Sequence, residues 1–131
     1  MPDPIHFPPR ELAVMSVLWR LGSASVAEVR ESLDEPLAYT SVLSALQTLE
    51  DKGCVRHEPE GRAYRYFPTV DASRAGTSAI ARIRDAIFHG SSERLFAQLV
   101  EDEGLSRAEL ERMRKLLAAR ISQSDKRGRR R

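Results

Sequence analysis

The chain has a single cysteine, no long apolar run and no signal-peptide pattern. Cys54 has no second cysteine to pair with in the 131 residues, and its place between Gly53 and Val55 is typical of a small buried side chain. A membrane-spanning helix needs about 18 or more apolar residues in succession, and no such run is present. The N-terminus is acidic and interrupted by prolines, which does not fit a signal peptide. We therefore expect a soluble, cytoplasmic protein.

The sequence also lacks the motifs of catalysis and metal binding. It has no Gly-rich phosphate loop, no HisGluXaaXaaHis and no SerXaaXaaLys, and its carboxylates are scattered over predicted helix surfaces. His6, His57 and His89 are far apart and show no metal-ligand spacing. With 41% hydrophobic residues, the chain can form one or two small cores but not a large catalytic cleft. We predict neither an enzyme nor a cofactor or metal site.

Charge is unevenly distributed along the chain. Residues 1–70 carry 7 basic and 10 acidic residues, a net −3, and residues 71–131 carry 14 basic and 9 acidic residues, a net +5. Five of those basic residues lie within 126–131. Nucleic-acid binding requires a basic surface rather than a basic total, so the sequence pI of about 9.0 leaves the function open.

The stretch from Tyr39 to Gly53 predicts an amphipathic helix with two different faces. At about 100° per residue, apolar residues fall on one stripe and small polar residues on the opposite side. The apolar stripe contains Val42, Ala45, Leu46 and Leu49, and the polar side contains Thr40, Ser44, Gln47, Thr48 and Asp51. Short hydroxyl and amide side chains can reach base edges and phosphates. We therefore expect this face to contact another molecule.

The residues around this helix predict a winged helix-turn-helix domain over residues 1–70. A first helix follows two prolines and ends at Gly22, and a capping-box pattern begins a short second helix at Ser25. After the third helix, alternating residues on both sides of a turn at 59–61 predict a two-stranded hairpin. In such domains the third helix enters the major groove and the hairpin lies beside the DNA backbone.

Residues 71–124 predict three further helices, capped near Asp71, Ser91 and Ser106. About fifty residues form a poor independent core, so we expect their apolar stripes to close against a second copy in a two-fold dimer. The expected interface residues are Leu95, Phe96, Leu99, Leu110, Met113, Leu116, Leu117 and Ile121. Packing of these helices on the N-terminal domain of a monomer is the alternative. The fold class is thus mainly α with a small β-hairpin, a winged helix-turn-helix domain followed by a three-helix dimerisation region.

Residues 125–131 predict a basic, disordered tail, because no apolar residue follows Ile121. A run of like charge is most often a solvated end. A tethered positive charge can also raise the attraction of an acidic domain to phosphates, so contact of this tail with DNA is a second interpretation.

Several segments together carry a resemblance to a known family. They are GluLeuAlaValMetSerValLeuTrp at 11–19, SerValAlaGluVal at 25–29, AlaTyrThrSerValLeu at 38–43, LeuGluAspLysGly at 49–53, GlyArgAlaTyrArgTyr at 61–66 and LeuPheAlaGlnLeuValGluAspGluGlyLeuSer at 95–106. In this combination the chain resembles the BlaI/MecI penicillinase-repressor family, and the last segment is similar to that family's dimerisation segment. The resemblance implies a homodimeric repressor on a palindromic operator. It also implies relief of repression by proteolysis, triggered in the best-known members by a membrane sensor metalloprotease for β-lactams.

Two features depart from the patterns of that family. The inactivating cut in its antibiotic-responsive members falls at an AsnPhe bond, and the matching position here is Gln98 followed by Leu99. The copper-responsive branch ends in a cysteine-rich metal site, whereas this C-terminal region has no cysteine. The resemblance therefore makes Gln98 and Leu99 the candidate cleavage position and implies no metal inducer.

On this interpretation the third helix reads bases and the hairpin region contacts phosphates. The expected base-reading residues are Thr40, Ser41, Leu43, Ser44 and Gln47, with Leu43 against a thymine methyl. The expected phosphate contacts are Lys52, Arg56, Arg62 and Arg65. Two other functions remain open: a winged-helix regulator that senses a small molecule directly, and a winged-helix module that binds protein. Loss of operator binding on adding a ligand would favour the first, and failure to bind any duplex at low salt would favour the second.

Overall fold

Helices and one small sheet make up the fold. The computed structural model describes residues 6–129. In chain order the elements are α1 (Pro9–Leu21), β1 (Ala24–Ser25), α2 (Val26–Ser32), α3 (Tyr39–Asp51), β2 (Val55–Glu60), β3 (Ala63–Pro68), α4 (Ala72–Ile87), α5 (Ser92–Val100) and α6 (Arg107–Arg129). The order of α1–α3 and the following hairpin confirms the predicted winged helix-turn-helix class.

Local capping explains where the first three helices begin and end. α1 starts with Pro9 in its first turn, where a missing N–H costs nothing. α2 has the predicted capping box, in which the side chain of Ser25 accepts from the N–H of Glu28 and the Glu28 carboxylate accepts from the N–H of Ser25. α3 ends at Asp51, and Gly53, which follows its C-cap Lys52, has a φ of 79°. The N–H of Gly53 donates to the carbonyl of Glu50, and that of Cys54 donates to the carbonyl of Leu49, both at 2.9 Å, which is a Schellman motif.

One apolar core joins α1, α2, α3 and the sheet. The predicted stripe of α3 is buried in it, and Cys54 is also buried, as its sequence position indicates. Trp19 packs at the edge of this core, edge-to-face with Phe7 at 6.2 Å, and its indole N–H donates to the carbonyl of Val70 at 2.9 Å. Trp19 is therefore a structural residue, as its position on the apolar face of α1 predicts.

The sheet has three antiparallel strands in the order β1-β3-β2 rather than the predicted two. β1 contains only two residues, which is too short for alternation to be seen in sequence. Its pairing of Ser25 with Arg65 places the start of α2 directly beside the hairpin. The hairpin, β2 and β3 with their turn, is the wing of the domain.

The chain divides into two compact units after Arg82, later than the predicted boundary at residue 70. Most of α4, residues 72–82, belongs to the N-terminal unit, where Ala75 is buried and Ala72, Ala75 and Gly76 share one cavity with Trp19. The C-terminal unit contains the end of α4 together with α5 and α6. We call it the helical unit.

Caps fix the limits of the helices of this second unit. The side chains of Ser91 and Ser106 each accept a hydrogen bond from a backbone N–H of the first helical turn that follows, both at 3.1 Å. α6 continues to Arg129, so residues 125–129 are helical where the sequence predicts a disordered tail. Residues 125–129 contain no proline to break the helix, and Lys126, Arg127 and Arg129 are good helix formers, although Gly128 is not. Residues 130 and 131 of the predicted tail lie outside the described residues.

Among residues 6–129, none of the helices combines the length and the apolar content needed to span a bilayer.

Candidate nucleic-acid interface

The exposed face of α3 presents small polar side chains. Thr40, Ser44, Gln47 and Thr48 are exposed, while Ser41 and Leu43 are half-buried beside them. The first turn of α3 carries no acidic residue, and its N-cap, Ala38, makes no side-chain cap. Hydroxyl and amide groups are therefore grouped near a helix N-terminus whose first turn has no carboxylate of its own, and the helix dipole there favours an anion. The predicted base-reading residues lie together on this helix.

Aromatic and hydrogen-bond contacts fix the base of the wing against the end of α3. The ring of His57 on β2 lies 4.8 Å from the ring of Tyr64 and 5.6 Å from that of Tyr66, both on β3. His57 Nδ1 lies 2.5 Å from Glu50 Oε2, at the last turn of α3. Burial, followed by the nearby carboxylate of Glu50, raises the pKa of the buried Tyr66. These contacts hold one face of the hairpin next to the helix that carries the base-reading candidates.

Three of the four predicted phosphate ligands pair with carboxylates, and two of them, Lys52 and Arg56, pair with one carboxylate each. Lys52 Nζ lies 2.5 Å from Glu11 Oε1, which joins the end of α3 to α1. Arg56 lies 2.7 Å from Glu58 and 4.3 Å from the centroid of the Phe67 ring. Exposed ion pairs of this kind are worth little, about 0–1 kcal/mol, so a phosphate can replace the carboxylate.

The other two predicted phosphate ligands, Arg62 and Arg65, differ in exposure and in ion pairing. Arg62 is exposed at the turn of the wing and makes no ion pair with any residue in the described range 6–129. Arg65 is only partly exposed and pairs with both Glu28 and Glu60. The four basic residues are thus spread over α3 and the hairpin and do not form one basic patch.

Two exposed tyrosines at this surface are absent from the residues predicted from sequence. Tyr39 is the first residue of α3, and Tyr64 lies on the outer half of the wing, with 46% and 50% of their surfaces exposed. Alternation places Tyr64 and Tyr66 on the same face of β3, but it does not show which of them lies beyond the core. Because Tyr64 is the residue nearer the turn, it is the one that extends past the core. Its hydroxyl is available to a phosphate or a base.

In the helical unit, the residues predicted for dimerisation share partial or full exposure. Leu95 and Met113 are half-buried, and Phe96, Leu99, Leu110, Leu116, Leu117 and Ile121 are exposed. Gln98 and Leu99, the candidate cleavage position, lie exposed in α5. Within residues 6–129, no three His, Cys, Asp or Glu side chains are grouped so as to hold a metal ion.

Comparison with known proteins gives consistent matches. A family model described as penicillinase repressor matches residues 8–119. The transcriptional regulator BlaI of Mycobacterium tuberculosis is 36% identical over 106 residues, covering 76% of this chain and 75% of the relative. A penicillinase repressor of Bacillus licheniformis is 26% identical over 109 residues, covering 82% and 85%. The solution structure of the DNA-binding domain of the repressor BlaI matches with a TM-score of 0.50 and 30% identity, covering 56% of this chain and 93% of that domain.

Proposed function

The chain belongs to the penicillinase repressor family, and from this premise we propose that it represses transcription as a homodimer on a palindromic operator. Membership makes the chain a DNA-binding transcriptional repressor and not an enzyme. The homodimer, the palindrome and the residues that read it are our proposal. Its single strongest support is the polar, acid-free face at the start of α3, held beside the wing of a winged-helix domain.

Dimerisation is supported by the surface of the helical unit. Its apolar side chains have no core of their own, and a second copy would bury them. A two-fold dimer would then present two copies of α3 to half-sites spaced by about one helical turn or a multiple of it, which is why a palindrome is expected.

Within each half-site, Thr40, Ser41, Leu43, Ser44 and Gln47 of α3 would contact base edges. Arg62 would contact a phosphate from the turn of the wing, and Lys52 and Arg56 would do so after leaving their carboxylate partners. Phosphate contacts of this kind set the register, whereas the base contacts carry the specificity. Arg65 differs from these three, because two carboxylates already hold it.

Selection of bound genomic fragments by the purified full-length chain tests this function. We expect the enriched fragments to share an inverted repeat, and a variant with Ser44→Ala and Gln47→Ala should enrich the same repeat poorly. Enrichment of unrelated sequences, or of a single half-site without its symmetric partner, would contradict the proposed dimeric reading of a palindrome.

We propose further that cleavage near Gln98 and Leu99, by a protease under the control of a membrane sensor, relieves repression in the cytoplasm. Support comes from the family and from α5, which has no buried residue and so can open locally at low cost. Mass spectrometry of the chain from β-lactam-treated cells should detect a fragment ending at or near residue 98. A chain that stays intact while its target genes are induced would contradict this route.

Direct sensing of a small molecule is the second candidate, and one cavity favours it. A cavity of about 430 Å³ lies between α1 and the segment after α2, within the size range of small-molecule sites. Arg10, Arg20, Asp34 and Glu35 provide charges at its walls, and Val17 provides apolar surface. Loss of operator binding when a metabolite library is added to the purified chain would support this candidate. Substitution of Ala13, an exposed residue of the cavity wall, by Trp should then abolish the response.

A further inference from the structure

Arg65 is bound by side chains from three other places in the N-terminal unit. Its Nε donates to Glu60 Oε2 at 2.5 Å and its Nη1 donates to Ser23 Oγ at 3.1 Å. Nη2 donates to Glu28 Oε1 at 2.6 Å and to Glu60 Oε1 at 3.5 Å. A guanidinium has five N–H donors, and these four bonds leave one of them for an outside partner. Arg65 is therefore poorly placed to serve as a phosphate ligand.

The two carboxylate partners of Arg65 belong to different elements, β2 and α2. Glu60 is the last residue of β2, next to the turn of the wing. Glu28 belongs to the capping box of α2, the helix that precedes α3, and its Oε1 also accepts from the N–H of Ser25. Arg65 itself lies on the central strand, paired with Ser25 on one side and Glu58 on the other. One side chain thus joins the outer wing to the start of α2.

Besides the bonds of Arg65, the outer wing is held by its strand pairing and by the ring contact of Tyr64 with His57, neither of which ties the turn to α2. Residues 58–64 are all exposed, so apolar packing does not fix the position of the turn. A short hairpin without a buried face is marginally stable by itself. The bidentate bond to Glu60 is the largest cause of a raised pKa of Arg65, while the pKa of Glu28 is lowered first by the N–H of Ser25 and also by Arg65. Arg65 and Glu28 therefore stay charged at neutral pH.

We propose that Arg65 is a positioning residue, which holds the outer wing against α2 so that Arg62 meets the DNA backbone when α3 enters the groove. The inference rests on the proposed function, since it concerns how the chain binds DNA. Arg65 with its two carboxylates carries a net charge of −1, which gives this cluster no attraction for a phosphate. The sequence predicts that Arg65 contacts a phosphate itself. We infer instead that it supports Arg62, the residue that makes this contact.

The first test compares Arg65→Lys with Arg65→Gln in the full-length chain. The probes are a duplex that the wild-type chain selects from a random library and a shuffled duplex of equal composition. Lysine keeps the charge but cannot form the fork to Glu28 and Glu60. We expect both variants to bind both duplexes about three- to tenfold more weakly, with an equal decrease of about 0.9 in the slope of log K against log salt, because Arg62 no longer reaches its phosphate. Near-wild-type binding by Arg65→Lys would overturn the proposal.

A double-mutant cycle measures the coupling between Arg62 and Arg65 in DNA affinity. A purely structural role of Arg65 would not produce such coupling. Arg62→Gln should weaken binding in the wild-type background but have almost no further effect when Arg65→Lys is present, because the wing is already displaced. Additive losses of affinity would show that the two arginines act independently, and they would overturn the positioning role.

Two substitutions that remove the same negative charge, Glu60→Gln and Glu58→Gln, provide a matched control. Glu60→Gln removes a negative charge close to DNA, which by electrostatics alone tightens binding. We expect weaker binding instead, because Arg65 loses its anchor on the wing. Glu58→Gln makes the same charge change on the same strand but leaves the bonds of Arg65 in place, and it should bind as tightly as the wild type or tighter. Tighter binding by Glu60→Gln would contradict the proposal.

Hydrogen exchange separates this inference from the proposed function. The amides of residues 58–64 should exchange faster in Arg65→Lys and Glu60→Gln than in Glu58→Gln, while the circular dichroism and Tm of the variants match the wild type. Unchanged exchange in this segment would overturn the inference. If the wild-type chain bound no duplex, the proposed function would fail, and the exchange rates would still decide whether Arg65 holds the wing.

Discussion

The two units of the chain differ in whether a single copy gives them a core. In the N-terminal unit, Met15, Leu18, Leu46 and Leu49 are fully buried. In the helical unit no described residue is buried, and Leu116 leaves 73% of its surface exposed. Helices without a packing partner are marginally stable in water, because most helix stability in proteins comes from tertiary packing. The N-terminal unit is therefore complete by itself, and the helical unit is expected to need a partner surface.

The largest expected effect comes from a charge in the proposed dimer seam. Met113→Asp would place an unpaired carboxylate in an apolar interface, at a cost of about 3–5 kcal/mol, and should dissociate the dimer. Specific binding to the operator should then fall sharply, because one half-site contact replaces two. Sedimentation and operator titration measure the two effects.

A matched control for this variant is Ser122→Asp. It introduces the same charge on α6, about 180° around the helix from Met113 at 100° per residue, on the side away from the apolar stripe. This variant should remain dimeric. An intact Met113→Asp dimer, or a monomeric wild-type chain at all concentrations, would show that α6 is not the seam.

A second pair of variants compares the two units directly. Leu46→Ala should lower the free energy of unfolding of the N-terminal unit by about 2–5 kcal/mol at every protein concentration, because it leaves a cavity in a packed interior. Leu117→Ala should leave that transition unchanged and should shift only the transition of the helical unit. Thermal unfolding followed by circular dichroism measures both. Equal shifts of one common transition would contradict the separation of the units.

The same contrast shows what the sequence could predict. The core stripe of α3, the caps at Ser25 and Ser106 and the end of α3 near Gly53 follow local rules, and all four are confirmed. Local rules determine neither which strand pairs with a two-residue segment nor which carboxylate a given arginine meets. The strand β1 and the bonds of Arg65 to Ser23 and Glu28 depend on contacts over about forty residues of separation, and for this reason the sequence did not indicate them.

In two segments the structure differs from the limits that the sequence predicts, for related reasons. Burial of Ala75 assigns the start of α4 to the N-terminal unit, although the sequence there shows only another amphipathic helix. At the C-terminus, the lack of apolar residues predicts that a segment cannot pack, but it does not predict that a helix stops. Helix α6 therefore runs on to Arg129 without a core.

A smaller effect is expected at the reading face of α3. Ser44 and Gln47 lie outside the buried stripe, so replacing both with Ala should leave folding unchanged. The loss of each base-reading side chain should cost about 1–3 kcal/mol of operator affinity. Binding to random DNA should change little. Exposed Asp51→Ala is a control on the same helix, and it should not reduce the preference for the operator. Unaltered operator affinity in the folded double variant would remove these residues from the site.

The smallest effect is expected from the basic C-terminus. Deleting residues 126–131 removes five positive charges and should weaken binding to operator and random duplexes about equally. The slope of log K against log salt should become flatter by about 0.9 for each phosphate that is no longer neutralised, with no change in specificity. Coincident salt plots for full-length and truncated chains would show that this end is only solvated.

The concentration dependence of unfolding tests most directly whether the helical unit is completed by a second copy. In full-length chain, we expect the Tm of the helical unit to rise with protein concentration, because association stabilises only the folded dimer. The Tm of the N-terminal unit, followed through the fluorescence of Trp19 at the edge of its core, should stay constant over the same range. A Tm of the helical unit that is independent of concentration, in a chain that sediments as a monomer, would contradict the proposed dimer.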